Sequence, residues 1–464
     1  MMKKIKIGFL PLYIKLYDDS GLQMIRDRLE PFYEKMAKDF ETKGFEVVRT
    51  PFCCVKAEFE KAVSEYENSG VDVIVTWHAA YSPSLESIDV LAATKLPIVV
   101  LDTTETLDFS PTQDPDEILM NHGIHGVMDM TNMLKRFGKE YAIVAGHYPT
   151  TDVLDRACRL VKAAAGAVSL AGTKVGTVGG SFDGMGDFLI SDEELLQRFG
   201  VTAVYSDGKT LNELAASVTK EEIDAEIEKD NKIFRRLNDF SYESHAKTVR
   251  NCLAVRKWIE KEGLDAFTVN FREIRPENGL VVMPFMEACK QMANGTGYAG
   301  EGDVLTAAIT GALLRGFNDA AFVEIFCPDW EGGSVCISHM GEFNLSLVAG
   351  TPEIKEIPFK YGKADDPVVC YGRYKAGKAV FVNVFKDSEK YNMLISPVEM
   401  LDAPEDKFEG NVRGWFKPAM STGEFLEKIS RAGVTHHSSL VYGAELSELE
   451  YFGKLLGLNV ITVE

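Results

Sequence analysis

The feature that most constrains the fold is the alternation of strand-like and helical segments along the first 165 residues. Short runs rich in Val and Ile, such as VDVIVTW and LPIVVL, alternate with longer segments whose apolar residues recur at helical spacing. This alternation predicts repeated β–α units and a parallel, doubly wound sheet. Such sheets bind ligands at the carboxyl ends of their strands. Here those ends read WHAAYSP and LDTTETLDF, so we expect a ligand-facing edge there.

The rest of the chain predicts two further parts. A second α/β unit begins near residue 171 with KVGTVG, but no GxGxxG opens a helix directly behind it, so its glycines are not a dinucleotide fingerprint. From about residue 318 strand-like runs dominate, including one at residues 357–360, which indicates an antiparallel sheet or small barrel. We therefore predict two Rossmann-like doubly wound α/β domains, residues 1–170 and 171–317. A mainly antiparallel, barrel-like β domain follows at residues 318–464.

Charge and cysteine usage exclude some classes of partner. The net charge of −20 argues against nucleic acid or an anionic membrane surface as the main partner. No run is long and apolar enough to predict a transmembrane helix. The eight cysteines show no CxxC spacing, which is typical of reduced, mostly buried thiols. We expect a cytoplasmic protein that acts on a small molecule.

One stretch, residues 297–343, concentrates the side chains that could perform chemistry. Glu301 lies in a glycine-rich loop before an apolar helix, Glu324 inside the strand-like run AAFVEIF, and His339 at the end of another such run. An unpaired carboxylate buried in an apolar run costs several kcal/mol, so we expect Glu324 to be either ion-paired or functional. Two carboxylates and an imidazole on successive elements suit a hard or borderline divalent cation.

A pair of histidines near the C-terminus, His436 and His437, could complete this set. Neighbours in an extended chain point to opposite faces, so we expect only one of the two to enter a given site. Two glutamates and two histidines favour Mn²⁺, Mg²⁺, Co²⁺ or Zn²⁺ without deciding among them. Taken singly, these residues also fit structural roles, such as a first-turn helix acid for Glu301 or a core histidine for His339.

Four motifs in fixed order, GEGDVLTAA, FVEIF, ISHMGEF and THHSS, resemble a known family. The family is the L-arabinose isomerase branch of the arabinose/fucose isomerase-like sugar isomerases, which shows AEGDxxTAA, FMED, a GSHMLE-type motif and AHH in that order. The resemblance covers nearly the whole chain. The fucose isomerase branch has an aspartate where Glu324 stands, so the arabinose branch fits better.

The resemblance implies an activity and a set of residue roles. It implies a metal-dependent aldose–ketose isomerase that acts on a free sugar, with Mn²⁺ expected first and Mg²⁺ or Co²⁺ left open. A cis-enediol explains the isomerisation with one base, and a hydride shift stays open as the alternative. The implied metal ligands are Glu301, Glu324, His339 and His437, and the two glutamates also serve the proton transfers. The residues implied to line the sugar pocket are His122, His125, Tyr81, Met185, Phe271 and His436. A homo-oligomer, a trimer or hexamer, is implied, with the site shared between subunits.

Three departures from the family fall where it holds its substrate. His122 replaces a family glutamine, FLPLYIKLYDD replaces the loop GSQHLYG, and the segment after Glu324 is shortened to IFCPDWEGG. They predict a divergent substrate pocket with unchanged chemistry and leave the identity of the sugar open. Two other functions also stay open. One is a different enediolate reaction on the same scaffold, such as an epimerase or lyase, and the other is a non-catalytic sugar-binding relative.

Overall fold

The computed structural model describes residues 4–464, and the chain divides into two compact units between Val168 and Ser169. Within the described residues no helix has the length and apolar character needed to cross a membrane. All eight cysteines are unpaired and all but Cys327 are buried, which confirms the expectation of reduced, mostly buried thiols.

The first unit is built on five parallel strands. They are β1 (Lys6–Leu12), β2 (Glu46–Arg49), β3 (Val73–His78), β4 (Ile98–Asp102) and β5 (Tyr141–Ala145). Their order in the sheet is β2-β1-β3-β4-β5, a doubly wound arrangement of the flavodoxin type. The helices are α1 (Lys15–Asp19), α2 (Gln23–Thr42), α3 (Lys56–Asn68), α4 (Ser84–Ala93), α5 (Ile118–Asn121), α6 (Ile124–Arg136) and α7 (Val153–Ser169). The parallel sheet confirms the prediction from strand–helix alternation.

The second unit begins with another parallel sheet. Its strands are β6 (Lys174–Val178), β7 (Thr202–Tyr205), β9 (Ala266–Val269) and β10 (Gly297–Gly300), in the order β10-β9-β6-β7. With its helices this sheet forms the part of the second unit that we call the α/β lobe. The helices are α8 (Asp192–Phe199), α9 (Gly208–Ser217), α10 (Lys220–Ile233), α11 (Tyr242–Glu262), α12 (Phe285–Ala293) and α13 (Val304–Phe317). The buried helix α13 is capped by the preceding Asp303, whose carboxylate accepts a hydrogen bond from the backbone N–H of Thr306.

A closed antiparallel barrel of six strands follows. They are β11 (Ala320–Asp329), β12 (Ser334–Ser338), β15 (Gly377–Lys386), β16 (Tyr391–Met400), β17 (Gly414–Pro418) and β18 (His437–Tyr442). They run in the order β15-β18-β11-β12-β17-β16, and pairing of β15 with β16 closes the barrel. The remaining elements are β8 (Arg235–Arg236), β13 (Val348–Glu356), β14 (Val368–Tyr374), α14 (Thr422–Ala432), α15 (Leu446–Leu455) and β19 (Asn459–Thr462). The predicted Rossmann-like sheets and barrel-like β region are confirmed, while the boundaries at residues 170 and 317 stay predictions.

The structure also corrects the strand assignment. Strands β8, β10, β13 and β17 are not predicted from the sequence pattern, and residues 357–360, predicted as a strand, have irregular backbone after the end of β13. Strand β10 reads GYAG, and glycine and alanine have little preference for strands. Strand β13 contains Gly350 and Pro352, which interrupt the expected pattern.

An ionic cluster ties helices α10, α11 and α12 together inside the second unit. Arg256 bonds the carboxylates of Glu226 and Glu287, and Lys290 bonds Glu226 and Asp230. The side chains of Glu287 and Asp230 are fully buried. Each buried carboxylate has a cationic partner, and Lys229 is a third cation beside Glu226, so the three carboxylates are balanced by three cations.

The pKa of Glu226 in this cluster leads us to expect that the free energy of unfolding depends on pH. Burial alone would raise its pKa, but Arg256 and Lys290 outweigh burial and lower the pKa well below its ordinary value of 4.5. A lowered pKa stabilises the fold above the unfolded-state pKa, and this contribution is lost as the pH falls. We expect Glu226→Gln to lose less stability than the unchanged protein between about pH 5 and about pH 3. Urea midpoints at both pH values measure this, and equal losses in the two proteins would contradict it.

Candidate metal centre

The register of the barrel strands brings three predicted ligands together. Glu324 on β11 lies directly opposite His437 on β18 and, on its other side, opposite Ser338 on β12. Residues paired in this way project from the same face of a sheet, with Cβ atoms about 4.5–5.5 Å apart. His339 follows Ser338, and its Nε2 lies 3.6 Å from Oε2 of Glu324. Strand pairing therefore brings Glu324 and His437 together, and His339, just past the end of β12, lies beside them.

Glu301 reaches the same cluster from the α/β lobe, on a tight turn directly after β10. Its backbone is left-handed, with φ of 64°, which is uncommon for a residue with a Cβ and costs about 1–3 kcal/mol. Two hydrogen bonds hold the turn: the Glu301 N–H donates to the Val269 carbonyl, and its carbonyl accepts from the Phe182 N–H. Gly302 is also left-handed, and a Cβ there would lie 2.2 Å from the Gly180 carbonyl oxygen. The turn thus requires glycine at residue 302.

Both C-terminal histidines face the Glu301 carboxylate. Its Oε2 lies 3.5 Å from Nε2 of His436 and 3.6 Å from Nε2 of His437. The expectation that only one of the two could enter the site is therefore wrong. It assumed an extended chain, whereas His436 occupies a bend and β18 begins only at His437.

Two carboxylates that the sequence analysis did not single out hold the outer nitrogens of the buried histidines. Nδ1 of His437 lies 3.0 Å from Oδ2 of Asp303, and Nδ1 of His339 lies 2.5 Å from Oε2 of Glu342. The hydroxyl of Tyr298 donates to the other oxygen of Glu342. A carboxylate at Nδ1 accepts the ring proton there and leaves the Nε2 lone pair facing inward. Two features of the sequence could have indicated these carboxylates. Asp303 occupies a helix-capping position, and Glu342 follows His339 by three residues.

The loop after β6 holds His436 through hydrogen bonds and stacks an aromatic ring on His437. Oδ2 of Asp187 lies 2.7 Å from Nδ1 of His436 and accepts a second hydrogen bond from the His436 backbone N–H. The ring of Phe188 stacks on that of His437, with centroids 5.0 Å apart and planes 8° from parallel. One short loop of the α/β lobe therefore orients both histidines, which no local sequence pattern signals.

These side chains fit a bound divalent cation. Nε2 of His437 and Oε2 of Glu301 are buried and have no hydrogen-bond partner, and buried polar atoms are rarely left in that state. The potential ligand atoms of Glu324, His339 and His437 lie within 4.8 Å of one another, as do those of Glu301, His436 and His437. Ligands about 2.1 Å from one ion lie about 3–4.2 Å apart. Slight contraction of the cluster would therefore provide carboxylate and imidazole ligands for one ion.

The surroundings shift the pKa values of the two glutamates in opposite directions. Burial raises the pKa of Glu324, and the nearby imidazoles offset this only in part. Burial acts the same way on Glu301, but His436, His437 and His339 outweigh it and lower the pKa. For His436, burial is outweighed by Glu301 and Asp187, which raise its pKa to about 9.

Besides His436, two predicted pocket residues, Phe271 and Met185, lie in the same unit as the centre. Phe271 follows β9, and its ring lies 5.3 Å from that of Phe182, whose backbone bonds the Glu301 turn. Met185 lies in the loop after β6, and its N–H donates to the Phe182 carbonyl. The structure thus places both side chains on segments that adjoin Glu301.

The other three predicted pocket residues lie in the first unit. The imidazole rings of His122 and His125 are 5.8 Å apart, and Nε2 of His122 lies 2.9 Å from the hydroxyl oxygen of Tyr17. Tyr81 follows β3 and donates a hydrogen bond to Asp129 on α6. Tyr17 belongs to the segment FLPLYIKLYDD, which departs from the family pattern, as does His122. The hydrogen-bond contact therefore links two of the three departures. A role of these residues in substrate binding stays a prediction.

We expect Glu342→Gln to weaken Mn²⁺ binding about 10- to 100-fold, because an amide cannot hold the His339 ring proton as a carboxylate does. The Mn²⁺ dissociation constant from electron paramagnetic resonance measures this. Glu356→Gln, at the end of β13, is the matched control and should leave the constant unchanged. An unchanged constant in Glu342→Gln would show that this carboxylate does not support the ligand.

The carboxylates and imidazoles converge at the carboxyl edge of a parallel α/β sheet, where such folds hold their ligands, so this centre is a candidate active site. Models of the L-arabinose isomerase N-terminal, central and C-terminal domains match residues 1–172, 194–315 and 319–459. The chain belongs to the L-arabinose isomerase family, which confirms the resemblance and the predicted enzyme class, an aldose–ketose isomerase.

Individual relatives are distant but similar over most of their length. The L-arabinose isomerase of Shouchella clausii is 24% identical over 84% of this chain and 81% of its own. That of Clostridium beijerinckii is 23% identical over 100% of this chain and 95% of its own. A solved ABC transporter solute-binding protein from Burkholderia multivorans shares 14% identity over 58% of this chain and 79% of its own. Its TM-score is 0.17, too low to support any argument.

Proposed function

We propose that this protein is a divalent-metal-dependent aldose–ketose isomerase that acts on a free sugar through a cis-enediol. The observation that carries the proposal is the convergence of two glutamates and three histidines on one centre, in which Oε2 of Glu301 and Nε2 of His437 are buried without hydrogen-bond partners. Family membership supports the type of reaction. The departures from the family pattern at His122 and in the segment FLPLYIKLYDD support a substrate pocket that differs from that of the family.

The residues that would hold the cation are Glu301, Glu324, His339 and His437. The chemistry that such a cation supplies when bound is Lewis-acid polarisation of two neighbouring sugar oxygens. Asp303 and Glu342 keep protons on the outer nitrogens of His437 and His339, so the inner nitrogens present lone pairs to the site. The barrel strands and the strained Glu301 turn fix this arrangement before substrate arrives, which lowers the cost of reorganisation during the reaction.

Glu301 and Glu324 are the proposed proton-transfer groups. In the aldose, one carboxylate takes the proton from C2 while O1 gains a proton, which gives the cis-enediol. The proton on O2 then leaves and a proton returns to C1, which gives the ketose. Both carboxylates are partly buried beside imidazoles, so water competes weakly for the protons that they hold.

The proposal is tested by incubating metal-stripped protein with Mn²⁺, Mg²⁺ or Co²⁺ and a panel of aldoses, with ketose identified by NMR. We expect turnover of at least one sugar and none without metal. Turnover of L-arabinose would show that the divergent segments tolerate the family's substrate. Turnover of other sugars alone would assign specificity to those segments. Metal binding without turnover of any sugar would contradict the isomerase proposal.

The same assay in deuterated water separates proton transfer from a hydride shift. An enediol pathway exposes the transferred proton to a carboxylate that exchanges with solvent, so we expect deuterium at C1 of the ketose. The readout is the C1 methylene signal of the ketose product. Complete absence of deuterium would exclude the enediol pathway and leave isomerase activity in place.

A further inference from the structure

A cavity lies in the α/β lobe and is lined in part by Phe188, the residue whose ring stacks on His437. It has a volume of about 330 Å³ and is lined by the carboxyl ends of β6 and β7, the loop between β6 and α8, and the first turns of α8 and α13. This volume is at the small end of the range for small-molecule sites, about 300–1,000 Å³. We call it the β6 cavity, and its lining includes Thr177, Phe188, Leu195, Tyr205 and Leu305.

The β6 cavity holds a buried hydroxyl without a partner. Thr177 is only 1% exposed, and its Oγ1 has no hydrogen-bond partner among the described residues. An unsatisfied buried hydroxyl costs about 1–3 kcal/mol. Its neighbour Gly176 has no side chain, and a Cβ there would meet Trp258 and Leu264 of the opposite face of the sheet. Alternation along β6 therefore directs Thr177 to the cavity side.

The lining restricts the chemistry of an occupant. Among its residues, all of them within the described chain, there is no Lys, Arg or His, and Asp192 supplies the one carboxylate. That charge disfavours phosphates and carboxylates, and a single carboxylate is a poor cation site. The hydroxyls of Thr177, Ser181 and Tyr205 can bond hydroxyl groups, while apolar walls suit C–H groups. A small, uncharged polyhydroxy compound combines both properties.

We propose that the β6 cavity binds a small, uncharged polyhydroxy compound at a site separate from the candidate metal centre. The unpartnered Thr177 hydroxyl supplies the hydrogen bond that orients the compound, and Leu195 and Leu305 contact its carbon chain. The exposed ring of Tyr205 forms the outer wall, where its hydroxyl donates to Asp192.

The β6 cavity is coupled to the metal centre through shared residues. Phe188 lines the cavity and its ring stacks on that of His437, and the adjacent Asp187 holds His436. Gly302 also lines the cavity and directly follows Glu301. A compound that orders these residues therefore changes Mn²⁺ affinity, and by thermodynamic reciprocity Mn²⁺ changes the affinity for the compound by the same factor.

The test uses erythritol as the probe and the full-length protein with leucine methyl groups labelled with ¹³C. We expect saturable shifts of the Leu195 and Leu305 methyl signals. Thr177→Val, which keeps the shape and removes the hydroxyl, should weaken binding at least about fivefold. The matched control is Thr76→Val, because Thr76 is likewise a buried, unpartnered threonine but lies on β3 of the first unit. It should bind as the unchanged protein does.

Two more variants make the result decisive. Tyr205→Ala removes an exposed wall, so it leaves the core intact and should also weaken binding. In metal-stripped protein, where coupling to Mn²⁺ plays no part, Glu324→Gln alters the metal centre only and should leave erythritol binding unchanged. Equal affinity in Thr177→Val and the unchanged protein, no saturable shift at all, or loss of binding in Glu324→Gln would each overturn the proposal. Because binding is read directly, its failure is distinguishable from absence of isomerase activity.

Discussion

Glu324→Gln is expected to reduce kcat by about three orders of magnitude, within the range of about 10²- to 10⁴-fold for general acid–base groups. Glutamine has nearly the same shape as glutamate but cannot exchange a proton with substrate. Glu324 lies mid-strand, directly opposite His437, so the barrel backbone holds its position and the fold should stay intact. The measurement is kcat at saturating Mn²⁺ with the sugar that the panel identifies, with circular dichroism to verify the fold.

Glu399→Gln on β16 is the matched control for this change. Its side chain belongs to the same barrel but faces solvent, so kcat should stay within about twofold, as for most surface substitutions. Measuring the Mn²⁺ dissociation constant of both variants separates a lost ligand from a lost proton-transfer group. If Glu324→Gln retained most of its kcat with Mn²⁺ bound, Glu324 would have no role in proton transfer.

Arg256→Met is expected to lower the free energy of unfolding of the second unit by about 3–5 kcal/mol. The guanidinium makes two 2.8 Å bonds to Glu287 and further bonds to Glu226. Methionine preserves much of the packing but leaves the fully buried Glu287 carboxylate without its cation. The unpaired carboxylate, more than the lost contacts, causes the destabilisation. Urea unfolding followed by circular dichroism measures it.

Lys209→Met is the control for removing a cation on the surface. Lys209 is 3.9 Å from Glu213, and both side chains are largely exposed. Such pairs contribute about 0–1 kcal/mol, so the urea midpoint should barely move. A loss below about 1 kcal/mol for Arg256→Met would show that water or rearranged side chains compensate Glu287.

Much of the architecture could be predicted from local pattern. The runs VDVIVTW and LPIVVL have the length and composition of buried parallel strands, and the structure places both in the first sheet. Glu324 stood out because a carboxylate in AAFVEIF conflicts with its apolar neighbours. Strand β10 could not be predicted, since GYAG has no strand-like periodicity, although it positions Glu301.

Sequence by itself determined the alternation of elements, and with it the parallel sheets, because periodicity and side-chain preference act over a few residues. It also marked Glu301, Glu324, His339 and the histidine pair as candidates. Tertiary structure alone decided how they meet. The β15–β16 pairing closes the barrel, a bend turns His436 toward Glu301, and Asp187 bonds a histidine 249 positions away. Strand register and side-chain bonds between distant segments form only when the chain packs, so no local pattern encodes them.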